Sequence, residues 1–138
     1  MKKMNAFLSI QRLHKGVSRI LFLGAFLFLG ISMTAQVSND QAVVILTQEA
    51  ESLNATIKPV VIGQASATED YFVARVKQDF YQKVTASIQD GASVQLAIND
   101  NLPAGLPTVE TLGGFKVIRN DKQAAEVLKT QTESLLGL

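Results

Sequence analysis

The chain has 138 residues, of which 47% are hydrophobic and only 18% are charged, and its formal net charge is +1. This length suits one domain rather than two, and the absence of cysteine excludes a disulfide scaffold and any thiolate metal site. The charge is uneven, because residues 1–35 hold 5 of the 13 basic residues and none of the 12 acidic ones. Residues 36–138 therefore carry 8 basic and 12 acidic side chains, a formal charge of −4 that disfavours nucleic acid as a partner.

Residues 1–35 have the pattern of a secretory signal peptide. Residues 1–19 form a basic n-region, and residues 20–33 form an uncharged apolar h-region of 14 residues. A membrane-spanning helix needs about 20 apolar residues, so this stretch is short for a span. We predict cleavage after Ala35; cleavage after Ser32 and retention as an N-terminal membrane anchor are the alternatives. The protein is then periplasmic or secreted, and it contacts a membrane only if the h-region is retained.

The export segment resembles those of short Gram-negative envelope proteins, whose signal ends in Ala-Gln as it does here at Ala35 and Gln36. The resemblance is confined to this segment. A cysteine-free exported domain must be held together by its hydrophobic core, and residues 36–138 are numerous enough for one modest core.

The first predicted helix of the exported part spans about residues 40–56. Ser38 and Gln41 have the spacing of a capping box, in which two side chains satisfy amide groups at the helix start. Apolar side chains recur at steps of three and four along one face, and Val44 and Ile45 widen this stripe; its members are Val43, Leu46, Ala50, Leu53 and Ile57. Pro59 is expected to end the helix, and residues 60–63 permit a short strand.

The second predicted helix spans about residues 67–89 and shows the strongest pattern. Ser66 and Glu69 form another capping box, and Gly91 provides a stop after the helix. The predicted buried stripe consists of Phe72, Val73, Val76, Phe80, Val84 and Ile88. The predicted solvent face carries charges of alternating sign at a spacing of four, namely Arg75, Asp79 and Lys83.

A third, shorter helix is predicted to start at Ser93, although apolar alternation over the same residues also permits a strand. Two prolines and a glycine predict a loop over residues 101–107. Gly113 and Gly114 break any helix, and residues 115–118 permit either a strand or an extended strap over the core.

The last predicted helix spans about residues 121–136, with Asn120 and Gln123 as its cap. Its inward face is predicted to be Ala125, Leu128, Thr132 and Leu135, and its outward charge ladder to be Lys122, Glu126, Lys129 and Glu133. These patterns together predict an all-α fold, a single small bundle or array of about four helices over residues 36–138. An α+β fold with a minor strand near residues 115–119 is the alternative.

The chemistry open to residues 36–138 is narrow, because the only histidine, His14, lies in the predicted signal peptide. Without His or Cys, the exported part cannot use Ser-His-Asp or Cys-His catalysis, imidazole or thiolate zinc sites, or thiol exchange. Residues 99–101 resemble the start of a calcium loop but lack its glycine and its closing glutamate. We therefore predict no catalytic, cofactor-binding or metal-ligating residue, and no cofactor.

Three functions are compatible with this inventory. The first is a non-enzymatic interaction or structural module of the cell envelope, whose partner is another envelope or extracellular protein. The second is a carrier of a small apolar ligand between helices, and the third is a carboxylate-based hydrolase acting on glycans. The aromatic residues of the second helix are expected in the core, with an exposed binding patch as the alternative; they are Tyr71, Phe72, Phe80 and Tyr81. The sequence leaves the oligomeric state open.

Overall fold

The computed structural model describes residues 36–138, and the predicted signal peptide lies outside the described residues. The elements in chain order are α1 (Asn39–Ser52), α2 (Asn54–Val61), α3 (Glu69–Gln89), α4 (Val94–Asn101), β1 (Leu106–Leu112), β2 (Phe115–Asp121) and α5 (Lys122–Leu135). The five helices make up 63% of this part of the chain, and the two strands pair as one antiparallel sheet. The prediction of a mainly helical protein is confirmed, but the α+β alternative fits better than an all-α bundle. None of these helices is both long enough and apolar enough to cross a membrane.

The core is built around α3, which contacts α1, α2, α4 and β1. The buried cluster takes side chains from nearly every element, namely Ala42, Leu46, Ala50, Phe80, Tyr81, Val84, Ile88, Val94, Ala97, Ile98, Leu106, Leu128 and Leu136. Phe80 is the largest fully buried side chain among them. Truncating such a residue to alanine typically costs about 3–5 kcal/mol of stability, so α3 anchors the fold.

The predicted inward faces are largely confirmed, with two exceptions. Val44 is exposed although it was expected to widen the stripe of the first helix, and Ala42 is buried instead. The stripe is narrower because α1 packs extensively against one helix, α3, rather than against several. Leu135 is also exposed and Leu136 is fully buried. The Val37 N–H donates to the Leu136 carbonyl, so the end of the chain turns back onto the start of α1.

The predicted end of the first helix is wrong. The helix breaks at Leu53 rather than continuing to residue 56, and Pro59 lies inside the short helix α2. One missing N–H is tolerable there, because α2 is held by its buried Ile57 and the Pro59 carbonyl accepts from the N–H groups of Gln64 and Ala65. Residues 60–63, which permitted a strand, instead end α2 and turn at Gly63.

Two predicted helix caps are confirmed. The Ser38 hydroxyl accepts from the Gln41 N–H at 3.2 Å while the Ser38 N–H donates to Gln41 Oε1 at 3.1 Å, which completes the capping box of α1. Ser93 caps α4, which is a helix as predicted, by accepting from the Leu96 N–H at 3.3 Å.

The other two predicted caps are wrong. Helix α3 starts at Glu69 rather than residue 67, and its N-cap, Thr68, makes no side-chain hydrogen bond. Helix α5 is capped by Asp121, which accepts from the Ala124 N–H at 3.1 Å, rather than by Asn120. Asp121 rather than Asn120 caps α5 because β2 continues through Asp121, which is therefore the last extended residue before the helix.

The strand expected near residues 115–119 is confirmed, and its partner is β1. The predicted loop extends only to Gly105, so β1 includes Pro107. Gly113 and Gly114 have positive φ angles of 57° and 87° and form the two-residue turn that joins the strands. Pro107 is tolerated because its nitrogen points away from β2, in a pair that forms no cross-strand hydrogen bond.

Candidate interaction surface

The hairpin formed by β1 and β2 is buried at its base and exposed at its turn. Leu106, the first residue of β1, is in the core, whereas every residue of β2 is exposed. Four large apolar side chains near the turn face solvent, with exposed fractions of 50% for Leu112, 78% for Phe115, 38% for Val117 and 53% for Ile118. We call these four residues the apolar hairpin end. Exposed apolar side chains that gather at one end of an element in this way are typical of interaction sites.

The strand register assigns these side chains to two faces of the hairpin. Leu112 pairs with Phe115, and Glu110 pairs with Val117. Three members of the apolar hairpin end, Leu112, Phe115 and Val117, therefore lie on one face together with Glu110. Arg119 lies on the same face and forms an ion pair with Glu110, with 3.0 Å between Nε and Oε2. The face therefore has an apolar centre with a charged pair beside it, which is the usual composition of a protein interface. Ile118 lies on the opposite face.

The outer edge of β2 is open. Because Leu112 and Phe115 close a two-residue turn, they exchange backbone hydrogen bonds, and every second pair along the ladder does the same. The N–H and C=O groups of Lys116, Ile118 and Asn120 therefore point away from β1. Within residues 36–138, no third strand covers them. An open edge of this kind is a template for another strand.

The outer edge of β1 lies against α3, and the first residue of that helix binds one of its backbone groups. The Glu69 carboxylate accepts from the backbone N–H of Val109, and the Thr108 hydroxyl donates to the same carboxylate at 3.2 Å. Gly105 packs tightly at the hairpin base, because a Cβ there would come within 2.9 Å of the Asn120 Cβ. The hairpin is thus fixed to the helical part through β1 and through the end of β2 at Asp121, and the outer edge of β2 is left open.

A separate groove of about 240 Å³ lies between α1, α2 and α3. Seven of its nine lining residues are polar or charged, although their apolar atoms contribute about half of the lining; the nine are Thr47, Ala50, Glu51, Asn54, Gln78, Gln82, Thr85, Ala86 and Gln89. The Gln78 side-chain amide bridges the helix break there, donating to the Ala50 carbonyl at 2.8 Å and to Asn54 Oδ1 at 3.1 Å. Glu51 is the single carboxylate of the lining, whereas a glycosidase needs a facing pair. The apolar-carrier and hydrolase hypotheses stay predictions that this groove does not favour.

The aromatic residues of α3 do not form one cluster. Phe80 and Tyr81 are buried, with ring centroids 5.6 Å apart, as the core interpretation predicted. Tyr71 and Phe72 are half-buried nearer the start of the helix, where Arg75 Nη1 donates to the Tyr71 hydroxyl at 2.9 Å. They provide no exposed aromatic patch.

Asn101, from the calcium-like run, has a structural role. Its amide donates to the Ser87 hydroxyl at 2.9 Å and to the Ala97 carbonyl at 2.8 Å, which ties the end of α4 to α3. In residues 36–138, no three His, Cys, Asp or Glu side chains come together as a metal site.

The pKa of the Tyr81 hydroxyl is raised above its ordinary value of 10.0. Burial is the largest cause, and the negative charge of Glu49 adds to it, whereas the hydrogen bond with Thr132 acts in the opposite direction. Tyr81 therefore stays neutral to a higher pH than an exposed tyrosine does.

Comparison of the chain with protein-family models, with curated proteins and with solved structures finds no match. Function must therefore be inferred from the chain's own residues. The sequence analysis missed the apolar hairpin end, although Gly113 and Gly114 between two segments rich in β-branched residues are a hairpin signal.

Proposed function

We propose that residues 36–138 form a non-enzymatic protein-interaction module of the cell envelope, exported by the segment before them to the periplasm or the exterior. The observation that carries the proposal is the apolar hairpin end, in which four large side chains on one element face solvent. Covering apolar surface contributes about 25 cal/mol for each Å² removed from water, so a partner that covers this end gains affinity directly.

The way in which the hairpin is held also supports binding. Leu106, Thr108 and Val109 connect β1 to the rest of the domain, and β2 is connected at its last residue, Asp121, which caps α5. The exposed side chains are therefore presented on a hydrogen-bonded two-stranded element that is anchored at its base, rather than on a loop. A partner pays little ordering entropy to bind such a surface.

The residue inventory favours binding over catalysis. Residues 36–138 contain no His and no Cys, and the groove between α1 and α3 holds one carboxylate. Catalysis of acyl transfer, phosphoryl transfer or glycoside hydrolysis requires a convergent nucleophile, base or acid pair. Within the groove, the Gln78 amide instead bonds with Asn54 and with the Ala50 carbonyl, and the Thr85 hydroxyl bonds with the Tyr81 carbonyl.

The proposal is tested by placing a photo-crosslinking amino acid at Phe115 in an exporting host, with the same substitution at Val44 as the control. Val44 is exposed to 49% on α1 and lies outside the hairpin. We expect a discrete protein adduct at position 115 and none at position 44.

The captured protein is then purified and its Kd measured. We expect Phe115→Ser to weaken binding at least tenfold, which corresponds to about 1.4 kcal/mol, and Val44→Ser to leave it unchanged. The proposal would be overturned if the unsubstituted protein, Phe115→Ser and Val44→Ser bound the captured protein with equal affinity. Equal amounts of adduct at positions 115 and 44 would also overturn it.

A further inference from the structure

We infer that the partner of the apolar hairpin end is a second copy of this chain, with the outer edges of the two β2 strands paired antiparallel about a two-fold axis. The inference rests on the proposed function, because it names the partner of the same surface.

The open edge of β2 supplies the backbone groups for this pairing. The N–H and C=O groups of Lys116, Ile118 and Asn120 all point outward. In an antiparallel pair, two directly opposed residues whose backbone groups face each other exchange two hydrogen bonds. Three such pairs between the two copies would form about six hydrogen bonds. An antiparallel strand pair is symmetric about a two-fold axis, which is the commonest symmetry of protein dimers.

The side chains of β2 select one register. When the axis passes beside Ile118, this residue faces Ile118 of the second copy. Lys116 then faces Asn120, and Val117 faces Arg119. No two like charges are then directly opposed, and the two Val117 side chains are diagonal neighbours on one face.

The neighbouring registers are worse. Moving the axis so that Ile118 faces Asn120 of the second copy sets Arg119 against Arg119, and like charges directly opposed are destabilising. Moving it the other way sets Asn120 against Gly114, which belongs to the turn. A shift of the register by one residue would place the outward-pointing backbone groups of one copy opposite residues of the other copy whose backbone groups already bond with β1.

The charge distribution also favours contact through the hairpin. Residues 106–121 contain two acidic and two basic side chains, so the hairpin is formally neutral. The whole charge of −4 on residues 36–138 therefore lies on the helices and loops. Two copies that meet through their hairpins keep these like charges away from the contact, where they would oppose association.

The exposed area is that of a weak dimer. The four side chains of the apolar hairpin end together expose roughly 400 Å², from fractional exposures applied to side chains of about 150–250 Å². Pairing of the two β2 edges covers the strand backbone and only part of these side chains, because Leu112 lies on β1 and both faces of the joined sheet stay open. The buried total is therefore below the lower bound of about 1,200 Å² for standard interfaces, so we expect an association that dilution reverses.

The test is sedimentation equilibrium of the protein purified after export, over concentrations from about 1 µM to about 1 mM, which bracket a weak dimer. We expect a monomer–dimer equilibrium. Ile118→Lys and Ile118→Glu should each raise the dissociation constant at least tenfold, because each sets like charges against one another at the axis. An equimolar mixture of the two variants should dimerise again, since opposite charges then face each other.

Val44→Lys is the matched control, equally exposed on α1, and should dimerise as the unsubstituted protein does. Circular dichroism of each variant checks the fold. A monomer at all concentrations, or a dimer indifferent to both Ile118 variants, would overturn the inference. A monomer that still yields an adduct with a different protein at position 115 would overturn this inference alone and leave the proposed function standing.

Discussion

At the scale of single residues, a few polar side chains join elements that are distant in the chain. Gln78 connects α3 to the break between α1 and α2, and Asn101 connects α4 to α3. Gln95 of α4 donates to Glu133 of α5 at 2.6 Å. Each bond of this kind contributes about 0.5–1.5 kcal/mol net, so these residues position the elements that apolar burial holds together.

Tyr81 gives a prediction about pH. Its pKa is raised in the folded state, above the ordinary value of 10.0, by burial and by Glu49. In the unfolded chain the hydroxyl ionises near pH 10, while in the folded protein it stays neutral to higher pH. The folded state therefore holds more protons, and the free energy of unfolding should fall as the pH rises above 10. Urea unfolding measured between pH 8 and pH 11 checks this.

The control for this effect is a pair of tyrosine variants. Tyr81→Phe should flatten the loss of stability above pH 10, and Tyr71→Phe should leave it in place. In the Tyr71→Phe protein the ultraviolet absorbance of tyrosinate reports Tyr81 alone, since the chain has two tyrosines. An identical decline in both variants would contradict the role of Tyr81.

At the scale of elements, the caps decide where helices begin. Ser93 lies at the start of α4, a helix of only eight residues, and its hydroxyl satisfies the Leu96 N–H. Thr68 occupies the same position before α3 but makes no side-chain hydrogen bond. Helix α3 depends less on a cap because it is 21 residues long and buries five side chains in the core.

We expect Ser93→Ala to lower the free energy of unfolding by about 1 kcal/mol, because α4 loses its cap. Thr68→Ala is the matched control and should change stability by less than about 0.5 kcal/mol, as surface substitutions away from such features do. Urea unfolding of the two variants measures both values. Equal losses would mean that Thr68 caps α3 in solution.

At the scale of the whole molecule, described here for residues 36–138, the hairpin is joined to the helices at a small number of points. Leu106 is buried in the core, and Glu69 holds the outer edge of β1 through Val109 and Thr108. The side chain of Asp70, the next residue, makes no hydrogen bond within the described part of the chain. Above its base, where Gly105 packs and Asp121 caps α5, the hairpin is held to α3 by the Glu69 carboxylate.

We expect Glu69→Ala to speed amide hydrogen exchange in β1 and β2, because the hairpin loses its polar contact with α3. Exchange in α3 and α4 should change little, since their buried faces do not involve Glu69. Asp70→Ala, which removes a charge from the same helix turn, is the control and should leave hairpin exchange unaltered. Unchanged hairpin exchange in Glu69→Ala would show that Leu106 alone fixes the hairpin.

The helices were largely predictable, while the exposed hairpin was not. The buried stripe of α3 follows from the spacing of Phe80, Val84 and Ile88, but after the predicted loop the sequence offered one possible strand, at residues 115–118, and no partner for it. Glu69 was predicted as part of a capping box, and its actual partners lie about 40 residues away. No local spacing could identify them, because the rest of α3 and the whole of α4 separate Glu69 from β1 in the chain.

By itself, the sequence determined that residues 36–138 are mainly helical, where most of the buried residues of α3 and α5 lie, and which kinds of catalysis lack the residues that they need. These properties follow from side-chain type and from spacings of three and four residues, both of which are local. Only the tertiary structure decided that β1 pairs with β2, that Glu69 binds one edge of the pair, and that the other edge stays open. Those outcomes depend on contacts between residues far apart in the chain, and the same apolar residues could equally have been covered by another element.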